Sequence, residues 1–424
     1  MSITTIEAGL DWINSRLKFN IRPGLVRIEA LLKLLGNPER QLSMIHIAGT
    51  NGKGSTVAFV RSIFMAAGLK VASFTSPSIE SFGERLAING QPISDERLIH
   101  YVNLLQPLVA KLDGDERAAG ITEFELITAT AFQYFADEKV DLAVIEVGLG
   151  GLSDSTNVIL PVVCGISTIG LDHVGILGKT LEEIAAQKAG IIKPGVPVVT
   201  GNILAPALKV IQKTAQKNQA VLYQFQRDYS IKLEEDEKFS FYSKEEKLPD
   251  LEKSLLGRHQ AENAALAIEL ATLYAQKMHI ELTEKQIRTG LRSAHWPARM
   301  EKLADQPLTI LDGAHNVDAM TRLVENLQTE FADRKISIIF SAIITKDIKQ
   351  MIKMLQTIKN SHLILTTFDD PRALNLADFQ YLEAEGVELA SNWQQAIADQ
   401  QQADLLLITG SLYFSAQVRA IIKS

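Results

Sequence analysis

Residues 49–55, GTNGKGS, combine three glycines with a lysine and a serine. Glycines let backbone amides turn toward a phosphate, Lys53 adds a positive charge, and a following helix adds the partial charge of its N-terminus. The spacing departs from GxxxxGK[ST], because Gly54 stands where Ser or Thr is expected. A simple glycine-rich turn requires neither the lysine nor an immediate helix. The pattern predicts a nucleotide triphosphate site formed by Gly49, Thr50, Asn51, Gly52, Lys53, Gly54 and Ser55.

Three further side chains follow predicted elements of the first half of the chain. Glu146 ends the apolar run DLAVIE, at the carboxyl end of a strand where ligands gather in α/β sheets. A carboxylate beside an anionic nucleotide suggests Mg²⁺, although an acid capping a turn is a common alternative. His173 follows the strand-like STI and is expected near the same edge, although an isolated loop histidine is usually unremarkable. Spacing alone favours a solvent-exposed helix position for Lys188.

The second half of the chain carries a polar cluster of its own. Asp312 begins DGAHN directly after the predicted strand Leu308–Leu311. Its donors and acceptors suit a ribose or a phosphate, and a turn-stabilising aspartate is an equally compatible interpretation. Arg299 lies in a predicted connector at residues 293–301, from which it could reach the first domain. The turn at residues 409–414, TGSLYF, gives a weaker site signal.

These residues require strands and helices that alternate. Helical spacing is found at residues 6–19, 25–35, 55–67 and 261–274, and apolar strand-like runs at 44–48, 71–74, 142–147, 162–169 and 196–199. Further strands are predicted at 308–311, 336–340, 362–366 and 405–408. Residues 221–255 alternate in short runs and predict a small β-rich excursion. The prediction is an α/β protein with a mostly parallel P-loop-type domain at 1–295 and a smaller Rossmann-like domain at 296–424.

The amino-acid composition of the chain argues against several classes of protein. The chain has 424 residues, 46% hydrophobic and 22% charged, with a net charge of −7, so no overall basic field favours nucleic-acid binding. Cys164 is the single cysteine and lies in an apolar run, which predicts a buried, inert thiol and excludes a disulfide framework. No run of 18 apolar residues predicts a membrane span. We expect a cytoplasmic monomer that acts on small molecules.

Taken together, the motifs resemble the folylpolyglutamate synthase and dihydrofolate synthase family, within the Mur ligase superfamily, along almost the whole chain. The resemblance rests on HIAGTNGKGST, FTSPSI, IEVGLGGLSDSTN, LDH, QKAGIIK, HQAENAALA, HWPARME, DGAHN and ITGSLYF, in the family's order. The chain departs from the family pattern at Ser78, Gly83 and Val317. These departures concern details of the folate loop and leave the reaction class unchanged.

The resemblance implies roles that spacing does not supply. It implies Ser76, Glu146 and His173 as magnesium contacts and Lys188 as a lysine carboxylated on its amine, so that two ions could be held. Carboxylation converts a cation into an anion suited to a hard metal. It also places Asn263, Arg299 and Asp312 around the adenine, phosphates and ribose of ATP. Lys53, Lys188 and His315 are the implied catalytic residues, and His315 would contact the transferred phosphate.

The expected reaction is the ATP-dependent addition of L-glutamate to the γ-carboxylate of tetrahydrofolate through an acyl phosphate. Dihydrofolate synthase, alone or as a second activity on dihydropteroate, is the alternative within the family. A Mur peptidoglycan ligase fits less well, because only 48 residues precede Gly49. A non-catalytic nucleotide switch would also use a phosphate loop and a strand-end acid. Such a switch would need neither Lys188 nor DGAHN.

Overall fold

The computed structural model describes residues 2–19, 23–235 and 237–423. The chain divides into two compact units, and the first comprises residues 1–254 and 261–294. The second comprises residues 255–260 and 295–424. The predicted first domain included residues 255–260, whereas in the structure they pack with the second unit.

The first unit is built on a mostly parallel sheet. Within the described residues, eight strands form it in the order β4-β3-β2-β5-β1-β6-β7-β8. These strands are β1 Met44–Ala48, β2 Val71–Phe74, β3 Leu86–Ile88, β4 Gln91–Pro92, β5 Leu142–Glu146, β6 Val163–Ile166, β7 Val198–Thr200 and β8 Leu222–Gln224. Only the pairs involving β3 and β4 within this sheet are antiparallel. All five residues of β1 are buried between β5 and β6, which brings the carboxyl ends of these strands to one edge.

Helices cover both faces of this sheet and link its parallel strands. They are α1 Ile6–Asn14, α2 Val26–Leu34, α3 Lys53–Ala66, α4 Asp95–Asp113, α5 Glu123–Asp137, α6 Val174–Leu177, α7 Leu181–Ala189, α8 Ala205–Lys217, α9 Arg258–Met278 and α10 Glu284–Ser293. The capping boxes of Thr122 and Thr180 fix the starts of α5 and α7. The cap at Thr180 matters for the site, because α7 carries Lys188.

The predicted β-rich excursion is confirmed, with one difference. An antiparallel sheet in the order β11-β10-β9 is formed by β9 Tyr229–Leu233, β10 Phe239–Ser243 and β11 Lys247–Leu251. The preceding β8 instead pairs in parallel with β7 and extends the main sheet. Strand β8 has only three residues, which is too short for its pattern of apolar and polar side chains to show which of the two sheets it joins.

The second unit is a smaller α/β fold with the sheet order β12-β13-β17-β14-β15-β16. Its elements are β12 Glu301–Asp305, β13 Leu308–Leu311, α11 Val317–Glu330, β14 Ile336–Phe340, α12 Ile348–Leu355, β15 Ser361–Thr366, β16 Glu388–Ala390, α13 Trp393–Ala398, β17 Leu405–Thr409 and α14 Leu412–Ile422. The edge strand β12 pairs antiparallel with β13, and the other pairs are parallel. This pairing places the first residue of β12, Glu301, opposite the last residue of β13, Leu311.

Both units confirm the predicted α/β class. Cys164 is buried, as predicted, and burial raises the pKa of its thiol to about 12. Across the described part of the chain, no helix is both long and apolar enough to span a lipid bilayer.

Candidate active site

The phosphate loop lies between β1 and α3, in the middle of the first unit's sheet. Gly52 precedes the helix with a φ of 83°, in the left-handed region that favours glycine. A side chain there would overlap the Asn263 amide, and one at Gly49 would overlap the Ser167 hydroxyl. Asn263, predicted as a nucleotide contact, therefore lies against the loop. The 14-residue helix α3 directs its N-terminus toward the space above the loop.

A second loop, at residues 167–170 after β6, holds the phosphate loop in shape. The Asn51 backbone carbonyl accepts hydrogen bonds from the Ser167 and Thr168 hydroxyls at 2.6 and 3.1 Å. Thr168 also accepts from the Asn51 amide at 3.0 Å, and Thr50 exchanges two bonds with Gly170. These bonds fix the loop backbone through neighbouring side chains. Ser167 and Thr168 were not predicted as site residues, although both directly follow the end of β6.

Two lysines meet at one carbonyl oxygen of this loop. Lys53 Nζ donates to Gly49 O at 3.1 Å, and Lys188 Nζ donates to the same atom at 3.0 Å. Lys53 also lies 3.7 Å from the buried Glu146 carboxylate. The structure thus brings together two lysine amines and one carboxylate where the phosphate loop begins.

Lys188 is buried, with 4% of its surface exposed, so the solvent-exposed position favoured by its spacing is wrong. The error arose because the helical pattern of α7 does not reveal that Gly49 covers one side of its last turn. Burial, with the nearby charge of Lys53, lowers the pKa of Lys188 to about 7. A large fraction of its amine is therefore neutral near pH 7 and able to act as a nucleophile.

Asp154 organises the loop that follows Glu146. Its buried carboxylate accepts hydrogen bonds from the Leu149 amide at 2.8 Å and from the Thr156 amide and hydroxyl at 3.0 and 2.5 Å. The Leu152 amide donates to Gln187 O at 2.8 Å, which joins this loop to the last turn of α7. Asp154 thereby links the position of Glu146 to that of Lys188. Asp154 lies in the motif IEVGLGGLSDSTN, but the motif alone did not predict this role.

Ser76 and His173 lie on loops that leave the same edge of the sheet. Ser76 is two residues beyond β2, whose last residue, Phe74, pairs with Ile145 beside Glu146. A cis peptide bond joins Ser76 to Pro77. His173 precedes α6 in a left-handed conformation, and its imidazole is 49% exposed and 4.0 Å from Asp172. The strand order therefore places both loops at the carboxyl edge of the sheet from which the phosphate loop also leaves.

The second unit gathers its own predicted site residues around DGAHN. The buried Asp312 carboxylate accepts hydrogen bonds from the Met300 and Ala314 amides, each at 2.9 Å. Burial raises the pKa of Asp312, and the charge of Arg299 opposes this shift. The His315 ring bonds through Nδ1 with Gly313 O at 2.8 Å. Arg299, Asp312 and His315 thus belong to one local cluster.

Comparison with known proteins gives the same assignment over the whole chain. Residues 47–271 match the Mur ligase middle domain, and residues 298–412 match the Mur ligase glutamate ligase domain. The dihydrofolate synthase/folylpolyglutamate synthase of Bacillus subtilis is 42% identical over 436 residues, covering 99% of this chain and 100% of that protein. The chain belongs to the folylpolyglutamate synthase/dihydrofolate synthase family. Its members are ATP-dependent ligases of the Mur type.

Solved structures support this family membership at the level of the fold. Folylpolyglutamate synthase from Mycobacterium tuberculosis, complexed with ADP and AMPPCP, matches with a TM-score of 0.88 and 30% identity over 99% of each chain. A complex of a folylpolyglutamate synthase with AMPPCP and folate matches with a TM-score of 0.86 and 36% identity, over 99% of this chain and 100% of that one. The family's ligase fold therefore extends over both units.

The metal ligands predicted for this chain have side chains whose chemistry suits Mg²⁺. Across residues 2–19, 23–235 and 237–423, no three His, Cys, Asp or Glu side chains are arranged to hold a metal by themselves. Glu146 offers a buried carboxylate, Ser76 a hydroxyl and His173 an imidazole, all on loops or strand ends at one edge. Because Mg²⁺ uses one or two carboxylates together with phosphates and waters, a small protein donor set fits this ion.

Proposed function

We propose that this protein adds L-glutamate to the γ-carboxylate of tetrahydrofolate, with ATP converted to ADP and phosphate. The convergence of Lys53 and Lys188 on Gly49 O, beside Glu146, carries the proposal. A nucleotide switch needs the phosphate loop, but it does not need a second, buried lysine with a lowered pKa. The solved family complex with AMPPCP and folate supports the same pair of substrates.

The chemistry begins with a carboxylate that cannot acylate an amine directly. A γ-carboxylate oxygen attacks the γ-phosphorus of ATP, the bond from that phosphorus to ADP breaks, and an acyl phosphate forms. The amine of L-glutamate then attacks the acyl carbon, phosphate leaves, and the amine loses a proton. The loop amides and Lys53 are placed to stabilise negative charge that develops on the transferred phosphoryl group.

Ser76, Glu146 and His173 are the proposed magnesium ligands, joined by Lys188 after its amine has reacted with carbon dioxide. When bound, Mg²⁺ would neutralise phosphate charge in the first step. The lowered pKa of Lys188 supports carboxylation, because only the neutral amine attacks carbon dioxide. Carboxylation adds the second anionic ligand that Glu146 alone does not provide.

In the second unit, we assign Arg299 and Asp312 to nucleotide contact and His315 to the transferred phosphate. Arg299 supplies a permanent positive charge, and its guanidinium lies against Gly313. Gly313 O accepts the Nδ1 proton of His315 when that nitrogen is protonated, and this bond orients the imidazole ring. In the first unit, Asn263 is assigned to the adenine.

A second candidate activity is the joining of dihydropteroate to L-glutamate. The Bacillus subtilis relative, named for both activities, supports a bifunctional enzyme. The bond formed is the same amide, so the same phosphate loop and lysines would serve. Dihydropteroate presents a carboxylate attached to its aromatic ring, whereas tetrahydrofolate presents the γ-carboxylate of its glutamate, and the two pterin rings differ in their reduction state.

The assay combines enzyme, ATP, Mg²⁺, ¹⁴C-glutamate and one acceptor, either tetrahydrofolate or dihydropteroate. We expect labelled product and ADP in equal amounts with tetrahydrofolate, and no ADP release when the acceptor is omitted. Product with dihydropteroate alone would replace the first activity by the second. Absence of product with both acceptors, across a series of one-carbon forms of folate, would overturn the proposal.

A further inference from the structure

Arg299 stands between two residues with left-handed backbone conformations. Ala298 has a φ of 51° and Met300 a φ of 47°, and both side chains are buried. Residues with a Cβ avoid this region, and two such residues on either side of a third persist only when the surrounding structure imposes their conformation. The conformation turns the Arg299 guanidinium toward Gly313 and the Asp312 carboxylate.

Two buried carboxylates hold this segment, one on each side of Arg299. Asp312 accepts a hydrogen bond from the Met300 amide, and Glu301 accepts one from the Ala298 amide, each at 2.9 Å. Ala298 O in turn accepts from the Gly313 amide at 2.9 Å. The backbone on either side of Arg299 is thus fixed by two carboxylate acceptors and by one amide donor, that of Gly313.

Glu301 is itself held by the C-terminal helix α14. Arg419 Nε donates to both Glu301 oxygens, at 2.8 and 3.0 Å, and the side chains of both residues are less than a tenth exposed. Lys423 Nζ donates to Glu301 Oε1 at 2.6 Å, but the Lys423 side chain is 43% exposed. A buried carboxylate keeps its charge and orientation only with a matched partner, and Arg419 is the buried partner.

We propose that Arg419 is a positioning residue for Arg299. By holding Glu301, it maintains the left-handed backbone at Ala298 and so fixes the direction of the Arg299 guanidinium. The effect on turnover rests on the proposed function, in which Arg299 contacts the nucleotide. The C-terminal helix would then serve nucleotide recognition without touching the nucleotide.

The test compares Arg419→Met, Arg419→Lys and wild type in steady-state assays that vary ATP and glutamate separately. We expect Arg419→Met to lower kcat/KM for ATP by about 10- to 100-fold, because small displacements of a phosphate-binding group are costly. The KM for glutamate should change less than about twofold. Arg419→Lys keeps a cation for Glu301 and should recover part of the loss. Arg334→Ala, which removes an arginine packed over Phe331 in the same unit, is the matched control and should behave as wild type.

Loss of a buried partner can also impair folding, so a double variant accompanies the single one. Glu301→Gln with Arg419→Met removes both charges and keeps an acceptor for the Ala298 amide, and it should regain thermal stability. The proposal expects the double variant to retain the lowered kcat/KM for ATP, because the side chain at position 301 then has no buried partner to orient it. Wild-type kinetics for ATP in the folded single or double variant would overturn it. Absence of ligation by wild type would instead overturn the proposed function.

Discussion

The two site clusters place a positive charge at a strand end by different means. In the first unit, Gly49 and Gly52 provide space, and hydroxyls of the adjacent loop hold a backbone with few side chains of its own. In the second unit, residues with ordinary side chains adopt left-handed conformations held by the Asp312 and Glu301 carboxylates. The first cluster relies on conformational freedom, whereas the second relies on imposed strain. Adding a side chain at a glycine of the first cluster should therefore impair the protein, whereas removing one at a left-handed residue of the second cluster should relieve strain.

The largest effect is expected at Lys188, which has no counterpart in the second cluster. Lys188→Ala removes both the bond to Gly49 O and the amine that would be carboxylated, so kcat for ligation should fall by about a thousandfold or more. Binding of an ATP analogue, measured by calorimetry, should weaken only about threefold, because Lys53 remains. The exposed Lys209 on α8 is the control. Near-normal turnover of Lys188→Ala would show that its carboxylation is unnecessary.

Gly52→Ala tests the space that the first cluster requires. Gly52 and Gly68 have nearly equal φ values, 83° and 87°, so alanine should cost each about 1 kcal/mol of stability through the backbone. Only the side chain at position 52 meets Asn263, and nothing lies within 4 Å of one at position 68. We expect kcat/KM for ATP to fall by about a hundredfold for Gly52→Ala. Gly68→Ala should leave it unchanged, and equal losses would contradict this account.

The pH dependence of Lys188 carboxylation is the third test. Its pKa is lowered to about 7, so the neutral fraction rises from about a tenth at pH 6 to about nine tenths at pH 8. At constant dissolved ¹³CO₂, the initial rate of carbamate formation, followed by NMR, should rise about tenfold between these values and then level off. An ordinary lysine would show a continued tenfold rise per unit up to about pH 10. Lys188→Ala provides the blank.

The lowered pKa of Lys188 also determines how its contribution to the free energy of unfolding changes with pH. Between about pH 7 and 10.5, Lys188 binds fewer protons in the folded state than in the unfolded state. Its destabilising contribution to the free energy of unfolding is therefore greatest below pH 7. The contribution diminishes as pH rises toward the unfolded value. Lys188→Met should therefore stabilise the protein more at pH 6 than at pH 10 when the two are compared by denaturant titration.

The smallest effect is expected in the second cluster. Ala298→Gly relieves the left-handed conformation but removes a buried methyl group, so the free energy of unfolding should change by less than about 1 kcal/mol. Ala304→Gly, in strand β12, has no such strain to relieve and should destabilise the protein by about 0.5–1 kcal/mol. Equal destabilisation of both variants would indicate that Ala298 is not strained.

Much of the fold could be predicted from local patterns, and the site only in part. The apolar runs of β1, β5 and β6 and the loop at residues 49–55 were evident, because burial and phosphate binding impose local composition. Lys188 was misjudged from its spacing, since its environment comes from a loop 139 residues away. Ser167, Thr168 and Asp154 act through backbone groups that no short pattern identifies. The conformation around Arg299 was equally hidden, because Ala and Met carry no signal for it.

Helix α9 belongs to both units of the chain. The boundary between the units falls inside it, after Gln260, and Leu256, just before it, packs against the core of the second unit. The second unit is therefore not a continuous stretch of sequence. A gene fragment that starts at His295 would lack part of its own hydrophobic interior. Shuffling this half between ligases should accordingly succeed only when residues 255–260 are exchanged together with residues 295–424.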